Sequence, residues 1–235
     1  MKTILELLPD VILEAPGVPH MVALQAVSST VRDFLTRTET WKEWTSALDV
    51  TASDPKVVIP NLVDDDDVRT QRMVRIHSLK WLDTGKLITF RTEAQLQDMD
   101  CMWRTREATP PSAFTQEIQT LHNVLVAVLY PIPPETIVGA VSARIVLTTQ
   151  TYAGLGIMTD DIADVTVPEF LFHQYRDTII KGALSRLLRM GGRDWTDKVQ
   201  ARDYSMQYEN EVIRAKSQAD AEFGNPVRTV TYGGY

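Results

Sequence analysis

The run PEFLFHQYRDTIIKGALSRLLRMGGRDWTD, residues 168–197, decides how this chain is read. Leu171, Tyr175, Ile179, Ala183 and Leu187 recur at steps of four, with Phe172, Ile180, Leu184 and Leu188 beside them, so the spacing predicts one helix over 168–190. Pro168 suits a first-turn position, where its missing N–H costs nothing. The apolar stripe is too broad for a single neighbour. Gly191-Gly192 is expected to end the helix through a left-handed glycine. Thr196 then offers an N-cap with Asp197 in the first turn of a second helix. The stripe of that helix is Val199, Tyr204, Tyr208, Val212, Ala215 and Ala219, and the short link implies an antiparallel helix hairpin.

Outward from this hairpin, a second helical period runs over 17–38 through Met21, Leu24, Val27, Val31, Phe34 and Leu35, with Pro19 in its first turn. Trp41 and Trp44 follow it and read as the edge of a core. Between 50 and 150 the pattern changes to short β-branched runs separated by turn residues. Strands are expected over 57–60, 69–81, 87–91, 123–130 and 137–149, with a hairpin at Asp83-Thr84-Gly85-Lys86. The last two strands are expected to pair around Pro131-Ile132-Pro133-Pro134, and 95–111 reads as irregular loop. The fold class is therefore α+β: a discontinuous antiparallel helical bundle (1–45 and 164–223) carrying an inserted antiparallel β-rich domain (46–163), then an extended tail (224–235).

Composition narrows the chemistry. In 235 residues, 44% are hydrophobic and 23% charged, which suits a soluble globular chain. The 24 basic and 31 acidic residues leave a net charge of −7, which disfavours tight nucleic-acid binding. Cys101, the one cysteine, rules out an internal disulfide and reads as a half-buried thiol. Glu6 and Asp10 interrupt the first apolar run, so no signal peptide is read, and 124–132 is far short of the roughly 20 residues of a membrane span. His20, His77, His122 and His173 are scattered without ligand spacing, and no phosphate-binding glycine loop or nucleophile elbow occurs. Asp64 to Asp67, and Asp160, Asp161 and Asp164, lack the alternation and glycine of a calcium loop. No catalytic residue, metal site or cofactor is expected. The broad helical stripe, the long strands and the aromatic tail instead suggest burial between subunits.

At its C-terminal helices the chain resembles the head-to-tail adaptor proteins of bacteriophages, in particular the tail tubular protein A class of short-tailed phages. The matching pieces are Val167-Pro168-Glu169-Phe170-Leu171, Gly182-Ala183-Leu184-Ser185-Arg186-Leu187, Gly191-Gly192-Arg193-Asp194-Trp195, Tyr204, Tyr208 and Ala215-Lys216. Asp33-Phe34, Thr40-Trp41 and Leu129-Tyr130-Pro131-Ile132-Pro133-Pro134 match further upstream, and Leu35 stands where the family often has cysteine. The resemblance implies a structural virion protein of the tail or neck, assembled in the host cytoplasm as a homo-oligomeric ring, usually of twelve subunits. It would join the portal protein to the tail nozzle protein and let genomic DNA through its lumen without sequence-specific binding. An acidic wall suits such passage, because it avoids Lys and Arg contacts to phosphate. Phe170, Tyr175, Trp195, Tyr204, Tyr208, Pro226, Val227, Tyr232 and Tyr235 are the residues expected at subunit or portal contacts, with Phe172 a further aromatic anchor. Alternatives are a connector or tail-completion protein of another tail type and, remotely, a metal-dependent nuclease using Asp54, Lys56 and the aspartate run.

Overall fold

The computed structural model describes residues 1–59, 71–119, 124–149 and 165–221. Among these the chain is mixed α and β, with six α-helices and a curled mixed sheet. It divides into two compact units: one holds Met1–Thr40 and the described residues from Thr149 onward, the other is Trp41–Thr148.

In the first unit, β1 (Lys2–Thr3) pairs antiparallel with β10 (Thr166–Val167). A 3-10 turn (Ile4–Leu7) then leads into α1 (Leu8–Glu14), neither of which the apolar period announces. Helix α2 (His20–Thr38) buries Leu24, Val27, Val31, Phe34 and Leu35, the stripe read from sequence. Its buried Thr30 and Thr38 donate back to the carbonyls of Ala26 and Phe34, which keeps both hydroxyls satisfied inside an apolar face. Pro19 sits one position before the first helical residue, and Glu39 ends the helix in the left-handed region with φ 54°.

The long helix expected over 168–190 is broken. It forms α4 (Phe170–Gln174) and α5 (Arg176–Leu187), redirected at Tyr175 with φ −124° and ψ 11°. There the Tyr175 ring packs 4.8 Å from Phe34 and 6.3 Å from Phe170, a placement that a continuous helix would have to share with its own ladder. Helix α5 also ends before the glycines, at Leu187, and Gly192 (φ 71°) lies in the following turn. The cap of α6 (Lys198–Ala221) is Asp197 and not Thr196: Asp197 Oδ1 accepts from the N–H groups of Val199 and Gln200, both at 3.0 Å. The Thr196 hydroxyl is committed to the link, donating to the Met190 carbonyl and accepting from Arg193 N–H.

Helices α2, α5 and α6 pack on one another. They come close at Gly182, where an added Cβ would stand 2.5 Å from Thr30 Cγ2 and 2.8 Å from the Tyr208 ring. Thr30 cannot swing away without releasing its bond to Ala26. Overpacking of this kind costs about 1–3 kcal/mol, against the roughly 1 kcal/mol that alanine gains over glycine in a helix. Gly182→Ala is therefore expected to destabilise the protein by about 1 kcal/mol in urea unfolding, despite the better helix former.

The second unit is built on eight strands. They are β2 (Lys42–Trp44), β3 (Leu48–Val50), β4 (Lys56–Ile59), β5 (Gln71–Trp81), β6 (Leu87–Phe90), β7 (Ala113–Gln119), β8 (Val124–Tyr130) and β9 (Ile137–Thr149). The order is β2-β9-β5-β6-β7-β8-β4, with β3 also on β9, and the sheet curls enough to bring β5 near β7 and β8. The β5–β6 hairpin forms as read, with Gly85 at φ 67°. Two expectations fail. First, the sheet is not wholly antiparallel, because β6 and β7 run parallel. Parallel neighbours need a crossover, and the segment read as loop supplies it through α3 (Glu93–Met99). Thr92 and Gln95 close a capping box at its start.

Second, β8 and β9 do not pair. Both edges of β8 are taken, by β7 and by β4, and β9 lies among β2, β3 and β5. The proline segment is pinned to the crossover instead, with Ile132 N–H on the Arg106 carbonyl at 2.8 Å and Ala108 N–H on the Ile132 carbonyl at 3.0 Å. Leu96 of α3, Trp103, Ala113, Val128 and Tyr130 form one buried cluster. Leu96 is the one buried residue of α3, so Leu96→Ala is expected to cost about 2–5 kcal/mol in chemical denaturation.

Candidate functional site

The aromatic residues singled out in the helical unit do not form one surface. Tyr208 is buried on α6 against Gly182, and its hydroxyl donates to Asp33 Oδ2 at 2.8 Å. Tyr175 is half-buried on Phe34, and Phe172 is buried. Phe170, half-buried, meets Tyr175 edge-on. Trp195 is half-buried in the α5–α6 link with the Arg193 guanidinium 5.9 Å over its ring, and its buried Nε1 has no acceptor among the described residues. Tyr204 is half-buried; its hydroxyl donates to Glu14 at 3.2 Å and accepts from Gln200. Pro226, Val227, Tyr232 and Tyr235 lie outside the described residues, as do the Asp64 to Asp67 run and Asp160, Asp161 and Asp164.

Two features of this unit carry polar chemistry. One is a network at the α2–α5–α6 junction. Asp33 accepts from Tyr208 and lies 3.5 Å from Arg37 and 3.6 Å from Arg186. Arg37 in turn clamps Glu209 of α6, with Nη1 on Oε1 at 2.9 Å and Nη2 on Oε2. The hydrogen bonds from Arg37 hold the Glu209 carboxyl below the usual carboxylate range, and Glu209 holds the Arg37 proton more firmly than usual. Burial, then the bond to Asp33, raises the Tyr208 hydroxyl well above an ordinary tyrosine. The other is an open groove of about 330 Å³ between α1, α5 and α6. Leu13, Ile180 and Leu184 line it with Asp10, Glu14, Asp177, Lys181 and Tyr204. Asp10 is engaged by Arg176 through both Nε (2.9 Å) and Nη2 (2.6 Å).

In the junction network every group is an ion-pair partner or donates a hydrogen bond to one, whereas of the charged groups in the groove only Asp10, held by Arg176, and Glu14, which accepts from Tyr204, have such partners among the described residues. In the other unit, Asp54 Oδ1 accepts from Lys56 N–H in a local turn, while Lys56 Nζ pairs with Glu117 at 2.9 Å, so this acid and base face different partners. Asp100 accepts from Met102 N–H, Arg106 and Tyr130, which together hold its carboxyl below the usual range. Cys101 beside it is exposed and not half-buried, because the turn after α3 sends Trp103 inward in its place. Among the described residues no three His, Cys, Asp or Glu side chains gather as a metal site, and no helix is long and apolar enough to cross a membrane.

Pattern reading missed Thr30, Arg37, Gly182 and Glu209 as the partners that surround Tyr208. A glycine inside a strong helical period was the available signal, since it marks a close approach. No family model matches the chain, and no curated protein matches it.

The network makes stability depend on pH in two directions. A raised tyrosine value means that stability is full below about pH 10 and falls as pH rises beyond it, since the unfolded chain ionises first. The lowered Glu209 value means that its contribution is present above the ordinary carboxylate range and is lost as pH falls through it. Tyr208→Phe is expected to cost about 1.5–3 kcal/mol, the range for a hydrogen bond to a charged group, and to shrink the alkaline loss. Glu209→Gln is expected to shrink the acid loss and leave the alkaline limb as it was, both limbs being read from urea unfolding across pH.

Proposed function

We propose that this chain is a non-enzymatic structural protein of a phage virion, polymerising into a ring that couples the portal to the tail nozzle and surrounds the DNA conduit. One observation carries the reading beyond the resemblance: pieces of that resemblance far apart in sequence meet in space. Asp33-Phe34 of α2, Gly182 of α5 and Tyr208 of α6 share one junction, through a hydroxyl-to-carboxylate bond and a contact that only a glycine admits. Residues kept together by such a contact belong to a body, which is what a degenerate signature of a structural protein would preserve. In this reading α2, α5 and α6 form a discontinuous antiparallel bundle, and Trp41–Thr148 is the β-rich domain inserted in it, available to the next tail component. The net charge of −7 suits a conduit that must not grip its DNA.

The test is mass measurement of the purified chain alone and with purified portal rings. The expected result is a closed ring of twelve subunits per portal, with the free chain smaller. Removal of 224–235 is expected to abolish portal docking while the helical signal and unfolding midpoint of the subunit persist. A chain that stays monomeric with and without portal rules this function out.

A further inference from the structure

Helix α6 has two apolar faces, and its own unit covers one. Ala201, Tyr208, Val212, Ala215 and Ala219 are buried. Val199, Met206 and Ile213 follow one another at seven-residue intervals and remain 75%, 57% and 65% exposed. At about 100° per residue this second row lies on the side of the helix opposite the first. Arg202 and Arg214 flank it on either side, with Asp203 beside them, all exposed; Arg214 also reaches Glu211 at 3.8 Å.

The groove elsewhere on the same unit has the converse character. Leu13 stands 80% exposed at its edge, and Ile180 and Leu184 supply an apolar floor. Its charges are Asp10, Glu14 and Asp177 against Lys181; Asp10 is already engaged by Arg176, which leaves Glu14 and Asp177 to face the two bases that the α6 face offers. The faces are different and lie on one body, so a contact between them joins one face of a subunit to the other face of a second copy. Repeated head to tail, such a contact gives a ring where the rotation between subunits closes.

We propose that the Val199–Met206–Ile213 face of one subunit seats in the α1–α5 groove of the next, so that the partner is a second copy of this chain; this rests on the ring reading above. The apolar row supplies the buried contact and the charges fix its register. Phe172, Tyr175 and Tyr208 then hold the subunit together from within, and the α6 side of the assembly contact lies on the far side of the helix from Tyr208.

The experiment uses the full chain and two variants made on exposed side chains. The face variant carries Arg202→Glu and Arg214→Glu; the groove variant carries Glu14→Lys and Asp177→Lys. Each alone is expected to assemble about tenfold or more weakly than the natural chain at low salt, the scale of reversed interface charges, with helical signal kept and the unfolding midpoint lowered no further than loss of the exposed Tyr204–Glu14 hydrogen bond explains. Mixed in equal amounts they are expected to form rings again, alternating around the circle, because each reversed surface now meets its reversed partner. Met206→Lys with Ile213→Lys is expected to abolish assembly without rescue by either. Rings that survive these substitutions, or mixtures that stay apart, overturn this contact while leaving the ring function standing. An unfolding midpoint that drops in the Met206 and Ile213 variant also overturns it, since the row would then be covered within the subunit. A natural chain that never assembles, alone or on portal, overturns the function itself.

Discussion

The helical unit depends on a side chain that is not there. At Gly182 the backbone of α5 lies against the ring of Tyr208 and the methyl of Thr30, so three helices meet where even a β-carbon would collide. A mid-helix glycine costs about 1 kcal/mol relative to alanine, and the buried tyrosine ring more than offsets it. The rest of the junction follows from that approach. With its ring on Gly182, Tyr208 brings its hydroxyl to Asp33, one turn along α2 from Thr30, and the arginines then gather around that carboxylate. The flanking ion pairs are more than a third exposed on at least one side, so they set register and contribute little to stability. The glycine contact and the hydroxyl bond carry the energy.

In the β-rich unit the corresponding constraint is the parallel neighbour relation of β6 and β7. An antiparallel order would have let a tight turn join them. The parallel one forces a long connection, and that connection folds because Thr92 and Gln95 start a helix and Leu96 drops into the cluster with Trp103 and Tyr130. Asp100 then fastens the end of the same segment to Tyr130 and Arg106. The crossover is thus held at its start by a cap, in the middle by burial and at its end by a carboxylate, which is why it also serves as the surface on which Ile132 docks.

How much of this could be read in advance depended on whether the cause was local. The stripe of α2, the hairpin at Gly85 and the strand over 137–149 are written in spacing and turn chemistry, and they stand as expected. At the break Tyr175 packs on Phe34, a residue on another helix, and no window around Tyr175 could show that contact. Strand alternation marks strands and says nothing of neighbours, which explains the mistaken pairing of β8 with β9. Helix α3 was legible and overlooked, since a threonine with a glutamine three residues on is a start signal in its own right. Around the candidate site the aromatics were visible and their direction was not. Period places a residue on a face, and only packing decides whether that face turns inward.

Direction is what would separate the packing role of α6 from the assembly role proposed for it. An aromatic such as Tyr208, already buried and hydrogen-bonded, has no apolar area left to give a partner, so subunit association cannot draw on it without unfolding the junction. In the proposed ring the driving force for assembly would come from area still exposed, and on this helix that area is the row of Val199, Met206 and Ile213. Such a row is narrow, one side chain every second turn. A single contact built on it would be weak, of the order seen in transient encounters. Closure changes that: in a ring each subunit is held by two contacts, and losing one requires breaking both. In the proposed ring, subunits that bind one another weakly would remain free until a circular template raised their local concentration, and would then lock. A stronger row would defeat this, because open chains would form wherever two subunits met.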